Sequence, residues 1–356
     1  LKFNRLMFNI FYTILFLLWL PGFFSGNIFS ELGLIKSNVV VINQKSEVLG
    51  EENEQSVESS EPKNISDLTQ SNDYLPLNLI GTGLIPERKA NCIDLKMWAG
   101  SSVAIDVDSG TILHYENGRK QIQIASLTKI MTAILVMENI PDLNAEVIIT
   151  KEGLRVDGTV VGCPTSVFCN GNRMYTGEKV RAIDLLKAML LNSANDAATS
   201  LGIHISGTAE KFVEKMNMRA KELGLIDTHF CTPSGLEIDG RENECYSSAY
   251  DIARIAAASM QYELIWNIMK IPEGEFYSAD GKYRHLLKNT DLLLGNVSNC
   301  LGGKTGFTPL AGKSLLLGSI DPTGKHKVIT VLLNDEKRWD DMRVLLDWVY
   351  NSYEWK

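Results

Sequence analysis

Several features are missing from this chain, and each absence argues against a class of function. None of the six cysteines stands in a C-x-x-C pair and the five histidines do not cluster, which argues against a zinc site. There is no basic excess: 35 Lys and Arg face 43 Asp and Glu, for a net charge of -8. A protein that grips nucleic-acid phosphates needs basic stripes, so that class is disfavoured. The stretch LGGKTG lacks the glycine spacing of a G-x-x-x-x-G-K-[ST] phosphate loop. No internal repeat is visible.

Long apolar runs are also scarce, with one exception at the start. Lys2 and Arg5 precede residues 6–24, which are apolar except for Asn9 and Thr13. A short basic segment followed by an apolar run is an export signal, and this run is just long enough to span a bilayer. Its exit, Pro21-Gly22-Phe23-Phe24-Ser25-Gly26, puts bulky Phe where a signal peptidase needs a small residue. That favours a retained anchor over a cleaved peptide, with Lys2 and Arg5 on the cytoplasmic side and the rest outside. Residues 44–75 hold eight acids and two lysines and few aromatics, too little apolar surface to offset ordering. The expected organisation is therefore a signal or anchor over 1–26, an acidic disordered tether over 27–84, and a folded domain over 85–356. Export suits the even number of cysteines. Cys163 with Cys169 and Cys231 with Cys245 are candidate pairs; buried free thiols are the other reading.

The domain opens with SSVAIDVDSGTILHYEN, in which Val103, Ile105 and Val107 alternate with polar residues and Asp108-Ser109-Gly110 supplies a turn. This predicts a hairpin. Helical spacing follows over 123–139, 180–191, 208–223 (closed by Gly224) and 248–260 (capped by Ser248). KSLLLGSI and KVITVLL flank Asp321-Pro322-Thr323-Gly324 as a second hairpin, and a last helix is expected over 339–350. Strands at both ends with helices between them predict an α+β fold, an antiparallel sheet with an inserted helical cluster.

Three stretches carry chemistry. In QIASLTKIMTAILVMEN, Ser126 and Lys129 lie one turn apart at the start of an apolar helix, so their heads share a face. Burial lowers a lysine pKa and lets it act as the base that a serine nucleophile needs. Ser126 also sits among the free N–H groups of a helix start, which suit an oxyanion. In LLNSANDAATS, read as a polar loop between helices, Ser193 can relay a proton and Asn195 can hold a peptide amide. In LGGKTGFTPLAGKSLLLGSI, Lys304 is a second cation, able to depress Lys129 and to bind a carboxylate. Thr305 offers the same carboxylate a hydroxyl, and Gly306 lets a peptide approach the strand edge.

S-x-x-K, S-x-N and K-T-G in this order are the signature of penicillin-binding proteins and serine β-lactamases. SLTKIMTA, LLNSANDAA, TPSGLEIDG, YSSAYDIARIA and GGKTGFTPLAGKSLL together resemble the D-alanyl-D-alanine carboxypeptidase family of low-molecular-mass penicillin-binding proteins, over roughly residues 100–348. The resemblance implies a β-lactamase/DD-peptidase-like fold, with Ser126 as the acylated nucleophile, Lys129 as base, and Ser193 and Asn195 assisting. It implies Lys304 and Thr305 on the substrate's terminal carboxylate and an oxyanion hole from the N–H groups of Ser126 and Phe307. In KRWDDMRVLLDW, Arg338 matches a carboxylate-side arginine of the family; a surface arginine near a helix start is the other reading. The implied partners are peptidoglycan stem peptides ending in D-Ala-D-Ala, with β-lactams as inhibitors and no cofactor. Many relatives also carry a β-rich domain and a C-terminal amphipathic anchor; neither is expected here, and the N-terminal segment would replace the anchor. CPTSVFCNGNRMY reads as a local embellishment near the cleft. The common soluble β-lactamase has Asp where Ala194 stands and an E-x-x-L-N that finds no match. A DD-endopeptidase would use the same residues, and an inactive tethered peptidoglycan binder is disfavoured by the intact motifs.

Overall fold

In the computed structural model, residues 85–162, 172–297 and 299–355 are described. The expected anchor 1–26, the tether 27–84 and the pair Cys163/Cys169 lie outside them. Strand β1 (Pro86–Arg88) leads to the hairpin of β2 (Ser101–Asp106) and β3 (Ile112–Glu116). A 3-10 turn (Ala125–Thr128) runs into α1 (Lys129–Asn139). Then come β4 (Glu146–Ile148), β5 (Lys179–Arg181), α2 (Ala182–Leu191), α3 (Asn195–Ser206), α4 (Ala209–Glu222), α5 (Ala249–Ser259) and α6 (Glu263–Met269). A hairpin of β6 (Glu273–Tyr277) and β7 (Arg284–Lys288) precedes β8 (Cys300–Thr308), β9 (Gly312–Ile320) and β10 (Lys327–Leu333). The described chain closes with α7 (Arg338–Ser352) and β11 (Tyr353–Trp355), which pairs with β1.

The central sheet is five-stranded and antiparallel in the order β3-β2-β10-β9-β8. Period-2 alternation divides its side chains between two cores. Val103, Ile105, Ile329, Val331 and Leu333 pack against the helical cluster, whereas Ala104, Val328 and Leu332 pack against Met342, Leu345, Leu346 and Val349 of α7. The expected α+β arrangement is therefore present, with the sheet covered on both faces. Asp321 makes the β9–β10 turn, its carboxylate accepting from the N–H groups of Thr323, Lys325 and His326.

The helices follow from local signals where one face is wet. Phe212, Met216 and Ala220 form the buried stripe of α4, Thr208 caps it by accepting from Lys211 N, and Gly224 ends it at φ +65°. Ser248 caps α5 by accepting from Asp251 N. Two expectations need correction. Residues 179–181 are strand rather than helix, so the helical element begins at Ala182. The stretch 190–200 is not a continuous loop, because Asn195 is the first residue of α3. Every residue from Asn195 to Ile203 is buried, so α3 has no polar stripe through which period 3.6 could show. Cys231 and Cys245 form the expected disulfide; Cys92 and Cys300 are free thiols.

Candidate active site

The site lies between the N-terminal end of α1, the link from α2 to α3, and β8, the outermost strand of the sheet. Ser126 stands in the 3-10 turn, one step after Ala125 at φ +47°. Two glycines let this turn seat tightly. A Cβ on Gly306 would lie 2.9 Å from the Ile124 carbonyl oxygen, and one on Gly235 would collide with that of Ala125. Gly306 thus has a packing duty beyond leaving the strand edge open.

Lys129 is 0% exposed, with Nζ 2.8 Å from Ser126 Oγ, 2.7 Å from Asn195 Oδ1 and 2.7 Å from the Ser234 carbonyl oxygen. The Asn195 amide is oriented by its own Nδ2, which donates to Asp157 O at 2.7 Å. Asn195 Oδ1 and Ser234 O can only accept. A neutral amine therefore spends its two N–H groups on them and turns its lone pair to the Ser126 hydroxyl. Burial, and then the neighbouring Lys304 charge, push the Lys129 pKa well below the usual lysine range, while Asp196 opposes. Burial in turn pushes Asp196 up to about 6, against the backbone N–H groups of Val161 and Ala197 that donate to it.

Ser193 sits between α2 and α3 at φ +57°, a backbone region that costs a non-glycine residue about 1–3 kcal/mol. Its hydroxyl accepts from Lys304 Nζ at 2.9 Å, and the same ammonium donates to Thr305 O at 3.0 Å. Burial lowers Lys304 to about 7; the Asp291 carboxylate acts upward and Arg338 downward. Thr305 Oγ1 meets Thr290 Oγ1 at 2.6 Å. Phe307, further along β8, is 61% exposed. Arg338, the first residue of α7, donates to Gly306 O at 2.9 Å and Ser314 O at 3.1 Å and lies over the Trp339 ring. Its guanidinium thus ties the start of α7 to one carbonyl of β8, the strand carrying Lys304, and one of β9.

Six of the expected residues thus fall into two hydrogen-bonded groups, Ser126–Lys129–Asn195 and Ser193–Lys304–Thr305, while Gly306 packs against the Ser126 turn, Arg338 holds the Gly306 carbonyl and Phe307 stands exposed further along β8. Sequence reading missed the Ser234 and Asp157 carbonyls, Thr290 and Asp291. TPSG and KNTD were there to be read, but which backbone oxygen faces a lysine is not written in either. Cys231 and Cys245 bracket the segment that supplies Ser234 O.

Residues 88–337 match the model of the D-alanyl-D-alanine carboxypeptidase family. The chain belongs to that family. The D-alanyl-D-alanine carboxypeptidase DacF of Bacillus subtilis is 31% identical over 261 residues, 72% of this chain and 63% of that protein, so the chain spans somewhat under two thirds of that relative's length. A D-alanyl-D-alanine endopeptidase of Pseudomonas aeruginosa is 30% identical over 233 residues, 65% of this chain and 70% of that one. Penicillin-binding protein D2 of Listeria monocytogenes, in an ampicillin-bound crystal structure, superposes with a TM-score of 0.61 at 28% identity, covering 72% of this chain and 99% of that one. That structure shares the mixed helix and antiparallel-sheet fold described above.

Proposed function

We propose that this chain is a serine D-alanyl-D-alanine carboxypeptidase that removes the terminal D-alanine from peptidoglycan stem peptides. One observation carries the reading: Lys129 Nζ lies 2.8 Å from Ser126 Oγ with its other two polar contacts on oxygens that can only accept. Lys129 takes the Ser126 proton as Oγ attacks the carbonyl between the two D-alanines. The developing oxyanion accepts from the N–H groups of Ser126 and Phe307. Lys304 as an ammonium and the Thr305 hydroxyl hold the terminal carboxylate, and the Ser193 hydroxyl, bonded to Lys304, relays the proton to the leaving nitrogen. Free D-alanine departs and water hydrolyses the ester on Ser126. Asn195 orients Lys129 and the peptide amide. Arg338 supports the site from behind by fixing the Gly306 carbonyl and adds positive charge on the carboxylate side. None of these steps calls for a metal or an organic cofactor.

A β-lactam presents a strained amide to the same serine and stops at the acyl-enzyme, in line with the ampicillin-bound relative. Such an enzyme works outside the cytoplasmic membrane, and residues 1–26 would hold it there. The test is mass spectrometry of uncross-linked pentapeptides incubated with the protein, alongside penicillin labelling. The expected result is loss of one D-alanine and a covalent adduct, both abolished in Ser126→Ala. An adduct of undiminished yield in that variant would exclude Ser126 as nucleophile.

A further inference from the structure

The orientation of the Asn195 amide decides whether Lys129 is free to act as a base, and that orientation is set from outside the three motifs. An amide has nearly the same shape either way round. In the structure its Oδ1 faces Lys129 Nζ at 2.7 Å, which leaves the lone pair of the neutral amine for Ser126. Turned over, the amide would offer an Nδ2–H to that lone pair and occupy the base. The Asp157 carbonyl rejects the turned-over form, because it can only accept and already takes Nδ2–H at 2.7 Å.

Asp157 belongs to a strap, residues 157–161, laid across the start of α3. The strap is neither helix nor strand; Asp157 and Gly158 at its tip are exposed, and Val160 and Val161 are buried. Among the described residues, its hydrogen bonds all run to the stretch 192–196. Asn195 N donates to Thr159 O at 2.7 Å and Asn192 Nδ2 to Val160 O at 3.0 Å. In the other direction Val161 N donates to Asp196 Oδ1 at 3.0 Å. Asp196 is the second residue of α3 and 2% exposed, and its Oδ1 also accepts from Ala197 N at 2.9 Å. One carboxylate oxygen therefore ties the strap to the helix start, and without it Val161 N would be a buried donor with no partner. The strap passes close to the amide that it holds. Gly158 stands at φ +76°, and a Cβ there would lie 3.0 Å from Asn195 Nδ2.

We propose that Asp196 is a positioning residue, which latches the 157–161 strap so that the Asp157 carbonyl keeps the Asn195 oxygen on Lys129 and the lysine lone pair on Ser126. The inference rests on Lys129 as the base for Ser126, given above. The latch is a matter of hydrogen bonds, because Oδ1 alone serves both Val161 N and Ala197 N. An asparagine can keep an oxygen in that place, whereas an alanine cannot. The charge of the carboxylate, which acts on Lys129 against burial, is a separate influence, and the same two substitutions tell it from the latch.

The experiment is saturation kinetics of penicillin acylation on the full chain at pH 7, above the Asp196 pKa of about 6. Asp196→Ala should lower the limiting acylation rate about 10–100-fold, the usual cost of a misplaced reacting group. The half-saturating penicillin concentration should stay within about twofold, because the Lys304–Thr305 group is untouched. Asp196→Asn, which keeps the acceptor, should hold the limiting rate within about threefold of wild type. In an Asn195→Ala background, where no amide is left to orient, Asp196→Ala should add less than about twofold. Gly158→Ala, at an exposed position, keeps the test open should Asp196→Ala not fold. It should slow acylation about 3–10-fold by pressing on the amide, and should add nothing once Asn195 is alanine. An Asp196→Asn variant as slow as Asp196→Ala overturns the latch in favour of the charge. Losses that multiply in both backgrounds overturn it in favour of a general loosening, and unchanged rates in Asp196→Ala and Gly158→Ala overturn it outright. A wild type inert towards penicillin and pentapeptide alike overturns the catalytic assignment of Ser126 and Lys129, and the latch with it.

Discussion

Lys129 and Lys304 are almost equally sealed from solvent, at 0% and 1% exposure, yet their surroundings prepare them for opposite work. Around Lys129 the strongest charge after burial itself is another cation, Lys304. Around Lys304 it is an anion, the Asp291 carboxylate, whose Oδ2 has no hydrogen-bond partner and lies 2.5 Å from where a Gly303 side chain would begin. Burial alone would discharge both. The placement of one carboxylate and one ammonium separates them, so that the first lysine is ready to accept a proton and the second keeps enough charge to hold an anion. In the proposed mechanism this difference in surroundings lets one lysine serve as base and the other as anchor without any difference in residue type.

The sharpest way to break this comparison is to make each lysine permanently charged. An arginine cannot act as a base at neutral pH, whereas it can bind a carboxylate. Lys129→Arg should lower the rate of penicillin acylation by about 10²–10⁴, the usual worth of a general base. Lys304→Arg should cost only about 10-fold, mainly in KM. Equal losses in the two variants, measured with a fluorescent penicillin, would mean that the two lysines do not divide the work in this way.

A smaller effect should appear with pH. Lys304 is protonated below about 7 and neutral above it in the free protein. An anionic peptide binds the protonated form, so KM should rise as pH passes upward through about 7, roughly tenfold per pH unit at the steepest. The same peptide with an amidated C-terminus should show no such rise. A KM flat from pH 6 to 9 for the anionic peptide would remove Lys304 as the anchor.

The finest test changes the carboxylate. Asp291→Asn removes the charge that holds Lys304 up, so its pKa should fall further and the rise in KM should start at lower pH, with a few-fold weaker binding at pH 7. An unmoved KM profile in a folded variant would assign Asp291 to packing alone.

How much of this could be read beforehand depends on the residue. Ser126, Lys129, Ser193 and Lys304 were picked out because S-x-x-K, S-x-N and K-T-G, each weak alone, occur together in the order seen in a known family. The β9–β10 hairpin was legible because Asp321 to Gly324 is turn chemistry. Helix α3 was hidden because burial on all sides removes the alternation that marks a helix. The β6–β7 hairpin was hidden too, since EGEFY and RHLLK resemble exposed loop as much as strand. The carbonyls of Ser234 and Asp157 were beyond reach for a different reason: every residue has one, and only the fold decides which of them faces a lysine. Asp291 carries a side chain that could have been noticed, but its meaning depends on Gly303 leaving room for it.

The bonds of the cleft span long stretches of chain. Lys129 reaches Asn195 across 66 residues and Ser234 across 105, and Lys304 reaches Ser193 across 111. Contacts this distant form late, after loop closure has been accomplished for the whole domain. The turn at Ala125 and the bend at Gly235 also pack so closely that a side chain at Gly235 would collide with the Ala125 carbonyl. A partly folded chain therefore carries an ordinary, unactivated serine. If Ser126 is the nucleophile proposed above, its reactivity works as a certificate of maturity, and covalent penicillin labelling would count the molecules that have finished folding rather than the molecules that have been made.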